Sequence, residues 1–390
     1  MRICFVYDAL FPYVKGGAER RYHELATRLA AEHDVHHVSW QWWEGASTTT
    51  IDGVTLHGVG APPKLYGDDG KRTVREAVAF AARVSPFLVR HRFDVIDCSA
   101  TPYLPLYAAA ATARITGTPL VATWHEYWGD HWREYLPDRP AVARVAQALE
   151  SAARPLGAAA VAVSAFTRRR MGLESSPRSW VVPNGVDISL HAGTLVSERG
   201  ASWDVAFIGR LIDEKRVDRV LDAVHELRDD MPNLRCAIVG DGPARAELEA
   251  RTDALGLSER IRFLGAVSEA EARAVLGDAH VLVMPSEREG FGISVIEAQL
   301  AGAVPVVVRG PHTAAPDLVR DGVDGLLADP DRASLASAVR RLLTDDAERA
   351  TMRAAALEAA RRYDWDGIAS QMLEVYRAVA RAKVALPSAA

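Results

Sequence analysis

Short runs of β-branched and aliphatic residues recur along this chain, and most are followed by a longer Ala-, Arg-, Glu- and Leu-rich stretch of helical period. That alternation predicts parallel sheets covered by helices. In the first half the expected strands are Arg2–Tyr7, Asp34–Trp40, Val95–Cys98, Leu120–Thr123 and Ala159–Val163. In the second half they are Val205–Ile208, Arg235–Val239, Ile261–Leu264, Val281–Met284 and Val304–Val308. Within Arg216–Arg228 the residues Val217, Val220, Leu221, Val224 and Leu227 fall on one face, as a helix packed on a sheet requires. A chain of 390 residues exceeds the size at which single cores stop growing. Two doubly wound α/β domains facing across a cleft are therefore expected. The change of domain is placed at Pro183-Asn184-Gly185-Val186-Asp187, because Pro and Asn-Gly break regular structure. This gives a first domain over 1–185, a second over 186–364, and a last helix over 365–384. Ile188–Ser202 reads as irregular, and the tail from Ala385 as disordered.

Composition narrows the classes. A formal net charge of −5 argues against a nucleic-acid partner, which needs a basic footprint. The three cysteines, Cys4, Cys98 and Cys236, sit in or beside apolar runs without metal-ligand spacing, which suits a reducing cytosol. No leader-like segment precedes the first strand, and the longest apolar stretches, Tyr103–Ala113 and Gly157–Phe166, are too short to span a bilayer. A cytoplasmic location is expected. Arginines at helical spacing within Lys71–Arg92 (Arg72, Arg75, Arg83, Arg90) leave a secondary reading, peripheral contact with anionic lipid at the inner membrane face.

The residues that break the pattern follow strands, where open α/β sheets bind ligands. The richest string is Pro285-Ser-Glu-Arg-Glu289-Gly290-Phe291-Gly292-Ile-Ser-Val-Ile-Glu297, a strand end running through a glycine-bearing loop into a helix. Loop amides and the helix N-terminus attract an anion. Glu289 and Glu297, on either side, suit two sets of vicinal hydroxyls with a diphosphate between them. A second string, Gly209-Arg210-Leu-Ile-Asp-Glu-Lys215-Arg216, sets cations after a strand, and cations neutralise diphosphate charge. The competing solution, a divalent metal on Asp364-Trp365-Asp366, is not favoured, since these residues precede the last helix where Asp is a natural cap. His36-His37 alternates along a strand and does not converge. No metal and no cofactor is expected.

These strings resemble the retaining glycosyltransferase family 4, whose two-glutamate motif falls here on Glu289 and Glu297, and the resemblance covers nearly the whole chain. It implies a GT-B fold and a nucleotide-diphosphate sugar (UDP or GDP) as donor. It implies that Glu289 contacts the sugar hydroxyls and Glu297 the ribose, and that Gly290, Phe291 and Gly292 present backbone to sugar and phosphate. Arg210 and Lys215 would take the diphosphate, and Gly17, with Gly16, would lie close to the phosphates. Leu264–Glu269 would line the base, with Val267 in contact, and Gly240-Asp241-Gly242 would lie near the nucleotide. Glu269 is assigned to the start of the following helix. The resemblance also implies that the last helix crosses back to the first domain, that transfer proceeds with retention, and that a His after the corresponding strand, here His125, serves sugar positioning and proton management.

The acceptor, a hydroxyl compound, is expected on the first domain. Six of the nine tryptophans cluster there, Trp40, Trp42, Trp43 and Trp124, Trp128, Trp132. Aromatic faces pack on sugar C–H surfaces, and Trp43, Trp124, Glu126 and Trp128 are the candidates. An epimerase or phosphorylase on the same fold, or a non-catalytic sugar-nucleotide-binding module, are the alternatives.

Overall fold

The computed structural model describes residues 1–65, 72–191 and 202–385. Lys71, most of Ile188–Ser202 and the tail beyond Ala385 lie outside the described residues. The chain forms two compact units, Met1–Gly185 with Trp365–Ala390, and Val186–Asp364.

The first unit holds β1 (Arg2–Val6), β2 (Asp34–Ser39), β3 (Thr48–Ile51), β4 (Val54–Gly58), β5 (Val95–Ser99), β6 (Leu120–Trp124), β7 (Ala159–Ala162) and β8 (Ser179–Val181). They pair in the order β3-β4-β2-β1-β5-β6-β7-β8, parallel except for the β3–β4 hairpin. The pattern reading does not contain that hairpin. Its turn, Asp52-Gly53, takes φ of 51° and 79°, the double left-handed conformation that an Asp-Gly pair supplies most readily. β8 also escaped the pattern, being three residues long.

The second unit holds β9 (Trp203–Ile208), β10 (Cys236–Val239), β11 (Ile261–Gly265), β12 (Ala279–Met284), β13 (Arg288–Glu289), β14 (Val304–Val308), β15 (His312–Thr313) and β16 (Leu326–Ala328). Six of them form a parallel sheet, β11-β10-β9-β12-β14-β16. In both sheets the order reverses beside the first strand, between β1 and β5 and between β9 and β12, which is where such sheets place ligands. The stripe Val217, Val220, Leu221, Val224 and Leu227 is buried on the second sheet, as its spacing predicts. That helix starts at Val217 because Arg216 adopts a left-handed φ of 48°.

The last helix, Trp365–Ala385, packs in the first unit. Trp365 is wholly buried, and a Cβ on Gly185 would stand 2.6 Å from its ring, so only glycine fits there. Farther along, the Tyr376 hydroxyl donates to Asp97 in the middle of β5 (2.6 Å), and next to Trp365, Asp366 accepts from Arg28 of the first helix (2.7 Å). Asp366 is thus a paired residue. The arginines read as a lipid face are partly used within the unit. Arg72 grips the buried Asp8 through both oxygens (2.8 Å each), and Arg83 donates to the Val59 carbonyl and lies over Trp40. Among the described residues no helix is long and apolar enough to cross a membrane.

Candidate active site

In the second unit, two loops that follow strands of its sheet are laced together. One runs from β9 through Arg210 to the short helical turn Asp213–Lys215; the other runs from β12 to Gly292. The Glu287 N–H donates to the Glu214 carbonyl (2.9 Å), Arg219 donates to the Pro285 carbonyl (3.1 Å), and Arg216 bridges Asp218 and Glu287. β13 pairs with β15, and the Ala314 N–H donates to the Glu289 carbonyl (2.8 Å), so Glu289 is held by its backbone. The result brings Lys215 and Glu289 into one hydrogen-bonded ion pair, each side chain only about one-fifth exposed. Arg216 beside it is one of the two non-glycine residues with positive φ among those described. Strain of that kind, about 1–3 kcal/mol, persists where the surroundings over-determine it, and here the Asp218 and Glu287 carboxylates do so.

Arg210 is exposed and its side chain has no ion-pair or hydrogen-bond partner among the described residues, so its guanidinium is free to meet an anion. Gly292, at φ +102°, ends the loop and opens the helix Ile293–Ala301, whose N-terminal amides offer further donors. Gly290 precedes it, and Phe291 is buried with its ring 5.7 Å from that of Tyr363, which leaves its backbone as the part available to a ligand. Glu297 is half-buried one turn into the helix. Val267 is half-buried just after β11. Glu269 is exposed in the first turn of the helix that Ser268 and Glu271 cap reciprocally, consistent with its helix role. The Gly240-Asp241-Gly242 loop has an internal explanation. A Cβ on Gly240 would lie 1.8 Å from the Gly209 carbonyl oxygen, and one on Gly242 2.3 Å from that of Leu211.

In the first unit, Gly16 and Gly17 open the helix Gly17–Leu29 and are exposed. A Cβ on Gly17 would meet nothing within 4 Å, so packing within the chain gives no reason for glycine there; close approach of a ligand would.

His125 follows β6, edge-on to Tyr22 at 5.9 Å, with its Nε2 buried and without a partner among the described residues. Burial, reinforced by the Arg21 charge, pushes its pKa down to about 3. At neutral pH it is a neutral imidazole, which suits a hydrogen bond to a hydroxyl better than carrying protons. Because the folded pKa lies below the ordinary 6.5, the stability associated with this neutral form is complete above pH 6.5 and is lost as pH falls toward 3. A His125→Asn variant is therefore expected to gain on wild type by up to about 1.4 kcal/mol per pH unit below that point. Unfolding midpoints of both proteins from about pH 7.5 to about pH 4, the range over which linkage acts, measure this; a constant difference would rule it out.

The tryptophan candidates separate, and two are corrected. Trp124 is fully buried within β6 and Trp43 nearly so, its indole N–H bound to the Ala46 carbonyl (2.8 Å). Both are core residues with no face left for a ligand. Trp128 and Glu126 are half-buried on the loop after β6, and the Trp128 indole donates to the Glu126 carboxylate (2.8 Å). The pattern reading missed Glu150, a wholly buried carboxylate on the helix Pro140–Ala153 that holds this same loop. Its only sequence signal is a charge on the apolar side of an otherwise Ala-rich helix.

Residues 15–190 match the family described as Glycosyltransferase Family 4, and residues 197–359 the one described as Glycosyl transferases group 1. Phosphatidyl-myo-inositol mannosyltransferase of Mycobacterium leprae (strain TN) is 32% identical over 321 residues, covering 77% of this chain and 78% of its own. A 2-deoxystreptamine glucosyltransferase of Streptomyces kanamyceticus is 40% identical over 144 residues, 37% of each chain. Among solved structures, sucrose-phosphate synthase from Thermosynechococcus elongatus superposes with a TM-score of 0.80 at 18% identity, covering 98% of this chain and 99% of that one, a likeness of fold.

Proposed function

The chain belongs to the family 4 glycosyltransferases, of two Rossmann-like domains and GT-B fold, and we propose that it moves a hexose, with retention, from a nucleotide-diphosphate sugar held by residues 186–364 to a ring polyol taken by the first domain. The observation that carries the donor assignment is the Lys215–Glu289 pair, with the Arg210 side chain, unpartnered among the described residues, on the same loop as Lys215 and the glycine-led N-terminus of Ile293–Ala301 following Glu289. A carboxylate that accepts from sugar hydroxyls thereby stands next to cations that neutralise a departing diphosphate. Preorganised charge of this kind is often the largest catalytic contribution. Glu297 is assigned to the ribose and Val267 to the base. His125, neutral, positions a hydroxyl.

Both glutamates are engaged by donor hydroxyls in this reading, which leaves neither of them to act as the nucleophile of a covalent double displacement. The leaving phosphate then helps deprotonate the acceptor on the same face. Two relatives bear names that point to ring polyols, myo-inositol and 2-deoxystreptamine, and this supports a cyclitol-like acceptor. The Trp128–Glu126 pair offers such a ring an aromatic surface and a hydrogen-bond acceptor.

No metal takes part in this scheme, since Arg210 and Lys215 supply the charge. Thermal-shift measurements with UDP-glucose, GDP-mannose, ADP-glucose and dTDP-glucose in EDTA are expected to reveal one binder; a ligand at ~100 times its Kd adds ~2.7 kcal/mol. Transfer from that donor to myo-inositol or 2-deoxystreptamine is then expected to persist under chelation. Abolition by EDTA with recovery on adding Mn²⁺ would overturn metal independence. A changed sugar in the absence of acceptor would indicate an epimerase.

A further inference from the structure

We propose that Glu150 is a positioning residue for acceptor use, acting through the loop that carries Glu126 and Trp128; this rests on the assignment of that loop to the acceptor. Its carboxylate is completely buried and has no cation as partner among the described residues. One oxygen accepts from the Trp128 N–H (2.8 Å) and the Tyr103 hydroxyl (2.6 Å), the other from the Gly129 N–H (2.7 Å). Two consecutive amides are thus fixed from a helix more than twenty residues away in sequence. On the opposite side of the same residue, Arg170 donates to the Trp128 carbonyl (2.7 Å). Trp128 is therefore held by its own backbone from both directions, and its indole in turn holds the Glu126 carboxylate.

A neutral apolar residue at 150 would pack the helix without the desolvation that a buried carboxylate costs. What the carboxylate adds is a fixed place for two loop amides, including Gly129, which turns the loop at φ +54°. Preorganisation of a binding loop in this way lowers the cost of taking up a ligand and leaves the chemistry at a separate donor unaffected.

The test compares wild type, Glu150→Gln and Glu150→Ala, each normalised to its folded fraction, with whichever of the four donors gives the thermal shift and with myo-inositol, 2-deoxystreptamine or water as acceptor. Glu150→Gln keeps one acceptor oxygen. The acceptor KM is expected to rise about threefold in Glu150→Gln and about tenfold in Glu150→Ala, with donor KM and donor hydrolysis changed less than about twofold. A fall in kcat with unchanged acceptor KM, or equal losses of hydrolysis and transfer, would overturn the proposal, because general damage to the fold acts on both. If wild type itself hydrolyses donor but uses neither polyol, the cyclitol assignment fails while Glu150 can still be judged. Amide exchange at Trp128 and Gly129 then decides: roughly tenfold faster exchange confined to this loop in Glu150→Gln supports the clamp, and equal exchange refutes it.

Discussion

Replacing Lys215 by alanine is expected to lower the rate of sugar transfer by about a hundred- to a thousand-fold, the loss seen when one preorganised charge-stabilising donor is removed from an active site. The ammonium is the part-buried cation nearest Glu289, and two laced loops hold it in place. Lys215→Arg keeps the charge but not the point geometry and should recover only part of the rate. The two carboxylates of the string should behave differently. Glu297→Ala is expected to weaken binding of the free nucleoside diphosphate, because a ribose contact is common to diphosphate and donor. Glu289→Ala should leave that affinity nearly unchanged and reduce transfer. Since Lys215 and Glu289 are bonded to each other, their single effects on transfer should not add. Calorimetry with UDP or GDP, and single-turnover rates for the double-mutant cycle, provide the numbers. A Lys215→Ala loss below about tenfold, or equal losses of diphosphate affinity in the two glutamate variants, would remove the basis for these roles.

The largest expected effect on stability lies at Asp97. This buried carboxylate accepts from the hydroxyls of Thr123 (2.7 Å), Tyr22 (3.2 Å) and Tyr376 (2.6 Å). It is also a counter-charge for the fully buried Arg21, whose guanidinium donates to the Pro183 carbonyl (2.5 Å) and Asn184 (3.2 Å). Burial raises the Asp97 pKa and lowers that of Arg21, so each is expensive without the other. Asp97→Ala leaves a buried cation uncompensated, a change worth roughly 3–5 kcal/mol. At ~2–4 °C per kcal/mol for a domain of this size, the first unit should melt on the order of 10 °C lower. Tyr376→Phe removes one of three donors and should cost only about 1 kcal/mol. Calorimetric scans of the two variants would show this ranking. An Asp97→Ala midpoint within about two degrees of wild type, the range of ordinary surface mutations, would mean that the network contributes little.

Much of the architecture is legible in the sequence. The ten strands read from apolar runs all lie in the parallel parts of the two large sheets, and the Val217–Leu227 stripe faces its sheet. Periodicity reports which face of an element is apolar, and burying that face is what builds the layers. The Asp52-Gly53 hairpin is also legible in principle, since that dipeptide is a strong local turn signal, but β3 is three threonines and an isoleucine and β4 carries only Val54 and Leu56 as apolar residues, so neither stands out as an apolar run. The glycine-and-glutamate string after β12 could be found because a local strand–loop–helix passage carries it within a few residues.

Tertiary structure decided the rest, for a physical reason. Sequence pattern cannot tell an aromatic that ends a strand inside the core from one that lies just beyond it, so Trp124 and Trp128, four positions apart, read alike until β6 was seen to run through Trp124. Nor does it show which buried polar groups meet. Lys215 finds Glu289 across 74 residues, Asp97 finds Tyr376 across 279, and Glu150 finds the amides of Trp128 and Gly129 from another helix. Apolar burial is non-directional and leaves its trace in spacing alone. A buried carboxylate is tolerable only where specific donors converge on it, and that convergence is a property of the folded chain.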